Sequence, residues 1–251
     1  MRNHHKESIK NMIEHCRENP DIKALFLIGS LATNTARDDS DIDAVAVIPQ
    51  EVFRHKQKNK ETLELVRGKC TYEKGYFDMH YTCREELVQL AESGSEPMRN
   101  MYTNAQALYS DDPDLPALAA QIPIFPIKEA AAKQLRFYCT FKQFYVYFWK
   151  ACKPVGFMRF HVADGMIYNL YRLILLENEI LFPSMRKLEE TVISASNKPQ
   201  EIVEKCHRLM QTLSDEDCAA LVESYEAWTT YDYPKEHSIV MNNFADTWEW
   251  Q

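Results

Sequence analysis

The sequence has few glycines, no close cysteine pair, no long apolar run and no excess of positive charge. Six glycines in 251 residues fall well below the usual share of about 7%. Such scarcity predicts a helix-rich chain and draws attention to where each glycine stands. Seven cysteines, at positions 16, 70, 83, 139, 152, 206 and 218, are an odd number with no C-x-x-C among them. That pattern argues against a disulfide framework or a thiolate zinc site and reads as reduced thiols packed as small hydrophobes. No apolar run approaches the roughly 18 residues of a membrane-spanning helix. The opening Met1-Arg-Asn-His-His-Lys-Glu7 lacks the apolar core of a secretory signal. The expected location is cytoplasmic, with no membrane partner. The 29 basic and 37 acidic side chains give a net charge of −8, the wrong sign for a protein that tracks a long nucleic acid.

What is present falls into two textures. From residue 5 to 18 a polar-faced helix ends at Asn19-Pro20. The apolar run Lys23–Ile28, closed by Gly29, reads as a buried strand, and Asp41–Ile48, closed by Pro49, as a second. Between them Ser30 is placed to cap a short helix reaching about Ala36. A charged helix is predicted over 50–67, and short strands near Cys70–Glu73 and Tyr76–Thr82 with Gly75 at the turn. Arg84–Glu92 reads as a helix, Ala105–Tyr109 as an edge strand, and 114–120 as a short helix. Two prolines in Ile122-Pro-Ile-Phe-Pro126 mark a boundary, which gives domains of 1–125 and 126–251. The second half has helical periodicity over 128–151, 158–178, 184–195, 199–213 and 215–228, an all-α bundle. Eight aromatics between Phe137 and Trp149, with Phe137, Phe141, Phe144 or Tyr145, and Phe148 on one helical face, read as bundle core.

The chemistry concentrates between residues 29 and 43. Asp41 and Asp43 stand one residue apart at the start of a strand, so both project to the same side. Two like charges held that close repel, and a divalent cation is the simplest remedy, with Asp oxygens the hard ligands Mg²⁺ prefers. A bare D-x-D is a weak signal. Here Gly29-Ser30 precedes it, and glycine lets a phosphate approach the backbone. Phosphate and metal sites together make a specific pattern.

The run Gly29-Ser-Leu-Ala-Thr-Asn-Thr-Ala-Arg-Asp-Asp-Ser-Asp-Ile-Asp43 resembles the signature of the nucleotidyltransferase superfamily that includes DNA polymerase β. It is most similar to the aminoglycoside and lincosamide nucleotidyltransferases, whose pattern is Gly-Ser-x-Ala-x-Gly-Thr-Ala-x-x-x-Ser-Asp-x-Asp. Two positions depart from it: Asn34 replaces a glycine, and Thr33 stands where a basic residue is frequent. Asn tolerates the left-handed conformation better than most residues. The resemblance implies an α+β protein, with an N-terminal mixed β-sheet flanked by helices and a helical C-terminal domain. It implies a third carboxylate on a later strand, supplied by Asp78 in Tyr76-Phe-Asp-Met-His-Tyr81, whose face also carries Tyr76 and His80. Glu177-Asn-Glu-Ile-Leu-Phe-Pro-Ser-Met-Arg-Lys187 resembles a segment of the family's helical domain, making Lys187 a phosphate contact and Asn178 a turn residue. Asp164, Glu177 and Glu179 are further candidates for a general base.

The implied catalytic and metal set is Asp41, Asp43 and Asp78, holding two Mg²⁺, with Gly29, Ser30, Ser40 and Lys187 on the nucleotide. The implied reaction moves a nucleoside monophosphate from a nucleoside triphosphate to a hydroxyl of a small, antibiotic-like molecule and releases pyrophosphate. A non-catalytic nucleotide-binding relative and an enzyme that nucleotidylates a protein side chain are the competing readings. Retention of all three carboxylates argues against the former.

Overall fold

The computed structural model describes residues 1–244, which divide into two compact units meeting in sequence at Ile124 and Phe125. In the first, α1 (Asn3–Arg17) precedes β1 (Ala24–Leu27), α2 (Gly29–Ala32) and β2 (Ile42–Val47). Then come α3 (Gln50–Asn59), β3 (Leu63–Arg67), β4 (Tyr76–Thr82), α4 (Arg84–Ser93), α5 (Glu96–Met101), β5 (Gln106–Ser110) and α6 (Leu115–Gln121). The five strands form one sheet in the order β3-β4-β2-β1-β5. β2 and β4 are parallel and every other pair is antiparallel, so the sheet is mixed.

Strand alternation decides what the sheet covers. On one face Leu25, Leu27, Ile42, Ala44, Phe77 and Met79 pack with Ile9 and Met12 of α1 and Phe53 of α3. On the other, Phe26, Val45 and Val47 pack with Leu87 of α4 and Leu115 and Ala119 of α6. Each fully buried Leu or Phe contributes roughly 1.5–3 kcal/mol relative to exposure. This second cover stops short of the start of β2 and β4, where Asp43 and Asp78 are only half-buried.

Three local expectations need correction. The helix predicted over 50–67 ends at Asn59, and Lys60 turns left-handed with φ 60°. Residues 63–67 are strand β3, hydrogen-bonded to β4 with Leu65 level with Asp78. Cys70–Glu73 is loop, so the hairpin partner of β4 lies earlier in the chain. Ser30 does not cap α2: its first residue is Gly29, Ile28 precedes it, and no side-chain cap bond forms. Two helices, α5 and the one over His237–Asn243, were not predicted either.

In the second unit α7 (Ile127–Gln143) runs on as a π-helical segment, Phe144–Ala151, and turns into the antiparallel α8 (Phe157–Glu177). A 3₁₀ turn (Met185–Lys187), α9 (Leu188–Ser194), α10 (Ile202–Thr212), α11 (Asp215–Trp228) and α12 (His237–Asn243) complete it. Tyr138, Phe141, Phe144 and Trp149 are buried in its core. An α-helical extrapolation puts Phe148 on that face. Phe148 packs against the core partly buried, and with the wider π turn the neighbouring Trp149, 2% exposed, is buried as well. Among the described residues no helix is long and apolar enough to cross a membrane.

Gly165 of α8 exists for packing: a Cβ there would lie 2.3 Å from Cε1 of Phe144. Gly165→Ala should therefore cost about 1–3 kcal/mol by overpacking, although alanine is the better helix former. Urea denaturation reads this directly. A midpoint unchanged or raised would mean that the Phe144 ring moves aside without cost.

Candidate metal centre

Three aspartates meet at the uncovered part of the sheet. Asp43 of β2 and Asp78 of β4 are register partners across the parallel pair. Asp41 precedes β2 by one residue, and the same register sets it level with Tyr76. The result is a two-by-two array on one face, Asp41 beside Tyr76 and Asp43 beside Asp78. One oxygen from each of the three carboxylates lies within 4.8 Å of the others, and all three residues are half-buried.

Gly29 is what allows this convergence. Its φ is +68°, and a Cβ built on it would fall 2.1 Å from Oδ2 of Asp43. Only glycine permits the turn between β1 and α2 to lie against that carboxylate. The Ile28 amide also donates to the Asp43 carbonyl at 3.0 Å. Beyond α2, Asn34 sits at φ 59°, the left-handed position where the resembling pattern has glycine, and it ends the short helix. Ser30 is half-buried on this turn, and its carbonyl accepts from the Thr35 amide at 2.9 Å.

Ser40 is buried, and its Oγ accepts a hydrogen bond from the Arg37 amide at 2.9 Å. Its carbonyl accepts from the Tyr72 hydroxyl at 2.5 Å. The structure thus gives Ser40 the work of shaping the loop that delivers Asp41. Helix α1 holds the same region from behind. Asn11 Nδ2 donates to the Lys69 carbonyl at 3.0 Å, and the Thr71 amide donates to Ser8 Oγ at 2.9 Å.

The electrostatics decide what the cluster is suited for. Two unit negative charges about 5 Å apart repel by roughly 3 kcal/mol at an effective dielectric near 20, and three carboxylates make three such pairs. The Tyr76 hydroxyl donates to Asp41 Oδ2 at 2.8 Å, but one hydrogen bond to a charged group returns only about 1.5–3 kcal/mol. That bond, and the Asp41 charge with it, pushes the Tyr76 phenol above its ordinary pKa. His80 Nε2 stands 3.7 Å from Asp78 Oδ1. An all-oxygen, all-carboxylate donor set fits a hard divalent cation such as Mg²⁺ or Mn²⁺ better than Zn²⁺, which favours nitrogen and sulfur.

Candidates in the second unit stand differently. Lys187 ends the 3₁₀ turn, and its Nζ pairs with Glu190 Oε2 at 2.7 Å. Oε1 of Glu177 accepts from Gln134, Tyr225 and Thr229, which ties helices α7, α8 and α11 together and gives this carboxylate a structural place. Asn178 exchanges hydrogen bonds with Asn197 through both its amide atoms, the turn role expected of it. Sequence reasoning missed Tyr72, the positioner of Ser40. It placed Tyr76 on the Asp78 face but had no way to pair it with Asp41, because that pairing follows from the β2–β4 register.

Residues 10–114 match the family described as polymerase beta, nucleotidyltransferase, a span that includes all five strands and the three aspartates. Over that span the first unit is similar to a polymerase β-type nucleotidyltransferase domain. The crystal structure of a nucleotidyltransferase-like protein from Exiguobacterium sibiricum is similar to this chain with a TM-score of 0.42 and 13% identity, over 89% of this chain and 73% of that one. No curated protein matches the chain.

Proposed function

We propose that the protein transfers a nucleoside monophosphate from a nucleoside triphosphate to a hydroxyl group of a small molecule, with release of pyrophosphate. The observation that carries this reading is the convergence of Asp41, Asp43 and Asp78 beside Gly29 in a domain of nucleotidyltransferase type. In balanced form, the acceptor oxygen bonds to the α-phosphorus, the bond from that phosphorus to the bridging oxygen of pyrophosphate breaks, and the acceptor proton passes to a base. Asp41, Asp43 and Asp78 would hold Mg²⁺, which would supply neutralisation of the charge on the transferred phosphoryl group and the leaving pyrophosphate. On this reading a carboxylate oxygen of Asp78 takes the acceptor proton. The Gly29-Ser30 turn, where no side chain blocks residue 29, receives the terminal phosphates, with Ser30 Oγ as a donor. The acceptor is proposed to be small, polar and hydroxylated, of the class that includes aminoglycosides and lincosamides, and an acidic cleft favours cationic members.

The test is pyrophosphate release from Mg²⁺–ATP and Mg²⁺–GTP with a panel of hydroxylated acceptors, run beside Asp41→Asn. Acceptor-dependent release by the wild type alone supports the reading. Nucleotide binding with no release for any acceptor would replace it with a binding role, and labelling of an added protein would move the acceptor to a side chain.

A further inference from the structure

The three aspartates are not equally constrained. Asp43 lies within β2, with the Gly29 turn against its carboxylate, and Asp78 lies within β4. Asp41 precedes the strand and hangs from the Arg37–Ser40 loop, so strand geometry alone does not fix its rotamer. Metal ligands of this kind need outer partners to orient them.

The row beside Asp41 supplies one. Arg67 of β3 is register partner to Tyr76 of β4, and Tyr76 stands level with Asp41. The Tyr76 hydroxyl donates to Asp41 Oδ2 at 2.8 Å, and the Arg67 guanidinium lies over the Tyr76 ring, 5.0 Å from its centre. A cation over the ring draws electron density from the phenol and holds the ring in place. The next row, Leu65–Asp78–Asp43, offers Asp78 an aliphatic neighbour in Leu65's place. We infer that Tyr76, backed by Arg67, is the positioning residue for Asp41, its bond to Oδ2 fixing the orientation in which that carboxylate would meet a cation. Tyr72 does the same for the backbone of the preceding residue through the Ser40 carbonyl. Two tyrosines four residues apart thus aim one ligand. The inference rests on the metal-dependent reading proposed above.

Titration of the metal-free full chain with Mn²⁺ alone, followed by electron paramagnetic resonance of the free ion, tests it without reference to turnover. Tyr76→Phe keeps the ring and its stack on Arg67 and removes only the hydroxyl, so its thermal midpoint in chelator should stay near that of the wild type. Its Mn²⁺ affinity should fall about tenfold, the lower end of the range for losing an outer-shell partner. Arg67→Met should lose less, up to about fivefold for an exposed cation–π contact, and Asp41→Asn should lose more than either. Mn²⁺ affinity of Tyr76→Phe within twofold of wild type, with Asp41→Asn still defective, would overturn the positioning role and leave the metal site standing. Failure of the wild-type protein to bind Mn²⁺ would overturn both.

Discussion

Asp43→Asn should lower the rate of Mg²⁺-dependent nucleotidyl transfer by at least about a thousandfold, while the protein stays folded. The size follows from charge. Metal stabilisation of a phosphoryl transition state amounts to several kcal/mol, and each 1.36 kcal/mol is a factor of ten in rate. Asparagine keeps the shape of Asp43 but has one neutral oxygen to offer, and Asp43 is the residue that both Gly29 and Asp78 adjoin. Removing one of three mutually repelling carboxylates also relieves the apo protein. The thermal midpoint in chelator should therefore fall little or rise, whereas a mutation of core packing lowers it. Pyrophosphate release and thermal denaturation, measured on the same preparation, separate the two effects. Turnover within tenfold of wild type would remove Asp43 from the metal centre.

Gly29→Ala should cost about a hundredfold in turnover and also destabilise the fold. The added Cβ faces Oδ2 of Asp43 at 2.1 Å, and the backbone sits at φ +68°. The left-handed conformation costs a non-glycine residue about 1–3 kcal/mol, and the overlap can relax only if Asp43 or the turn moves. Gly68 provides the internal control. It too has a left-handed φ, +74°, but nothing lies within 4 Å of a Cβ built there. Gly68→Ala should thus show the backbone cost alone, with turnover nearly intact. Equal activity in the two variants would mean that contact between the Gly29 turn and Asp43 does not matter to the reaction.

The residues that bear charge at the site were legible because their spacing carries the information. Asp41 and Asp43 stand one residue apart at the entry to β2, Gly29-Ser30 precedes them at a fixed interval, and the family resemblance points to Asp78. Asn34 was readable too: a left-handed position tolerates few residues, and the structure puts it at φ 59°. β3 was hidden by its exposure. Leu63 and Leu65, 61% and 51% exposed, lie on an edge strand that also carries Glu64 and Arg67, so they lack the buried alternation that marks a strand. The charged residues around them extend the pattern of α3. What joins Arg67, Tyr76 and Asp41 is register between three strands, which no local pattern encodes. Trp149 is buried more deeply than Phe148, which packs at the core's margin, for a similar reason, since a π turn changes the period on which the expectation relied.

The central claim is that Asp41, Asp43 and Asp78 together hold divalent cations against a nucleoside triphosphate. A crystal grown with Mn²⁺ and a non-hydrolysable triphosphate, measured for anomalous scattering, tests it most directly. The account predicts manganese peaks bonded to oxygens of all three aspartates, with the α-phosphorus beside them and the terminal phosphates on the Gly29-Ser30 turn. Nucleotide bound elsewhere, or manganese absent from between these carboxylates, would contradict it.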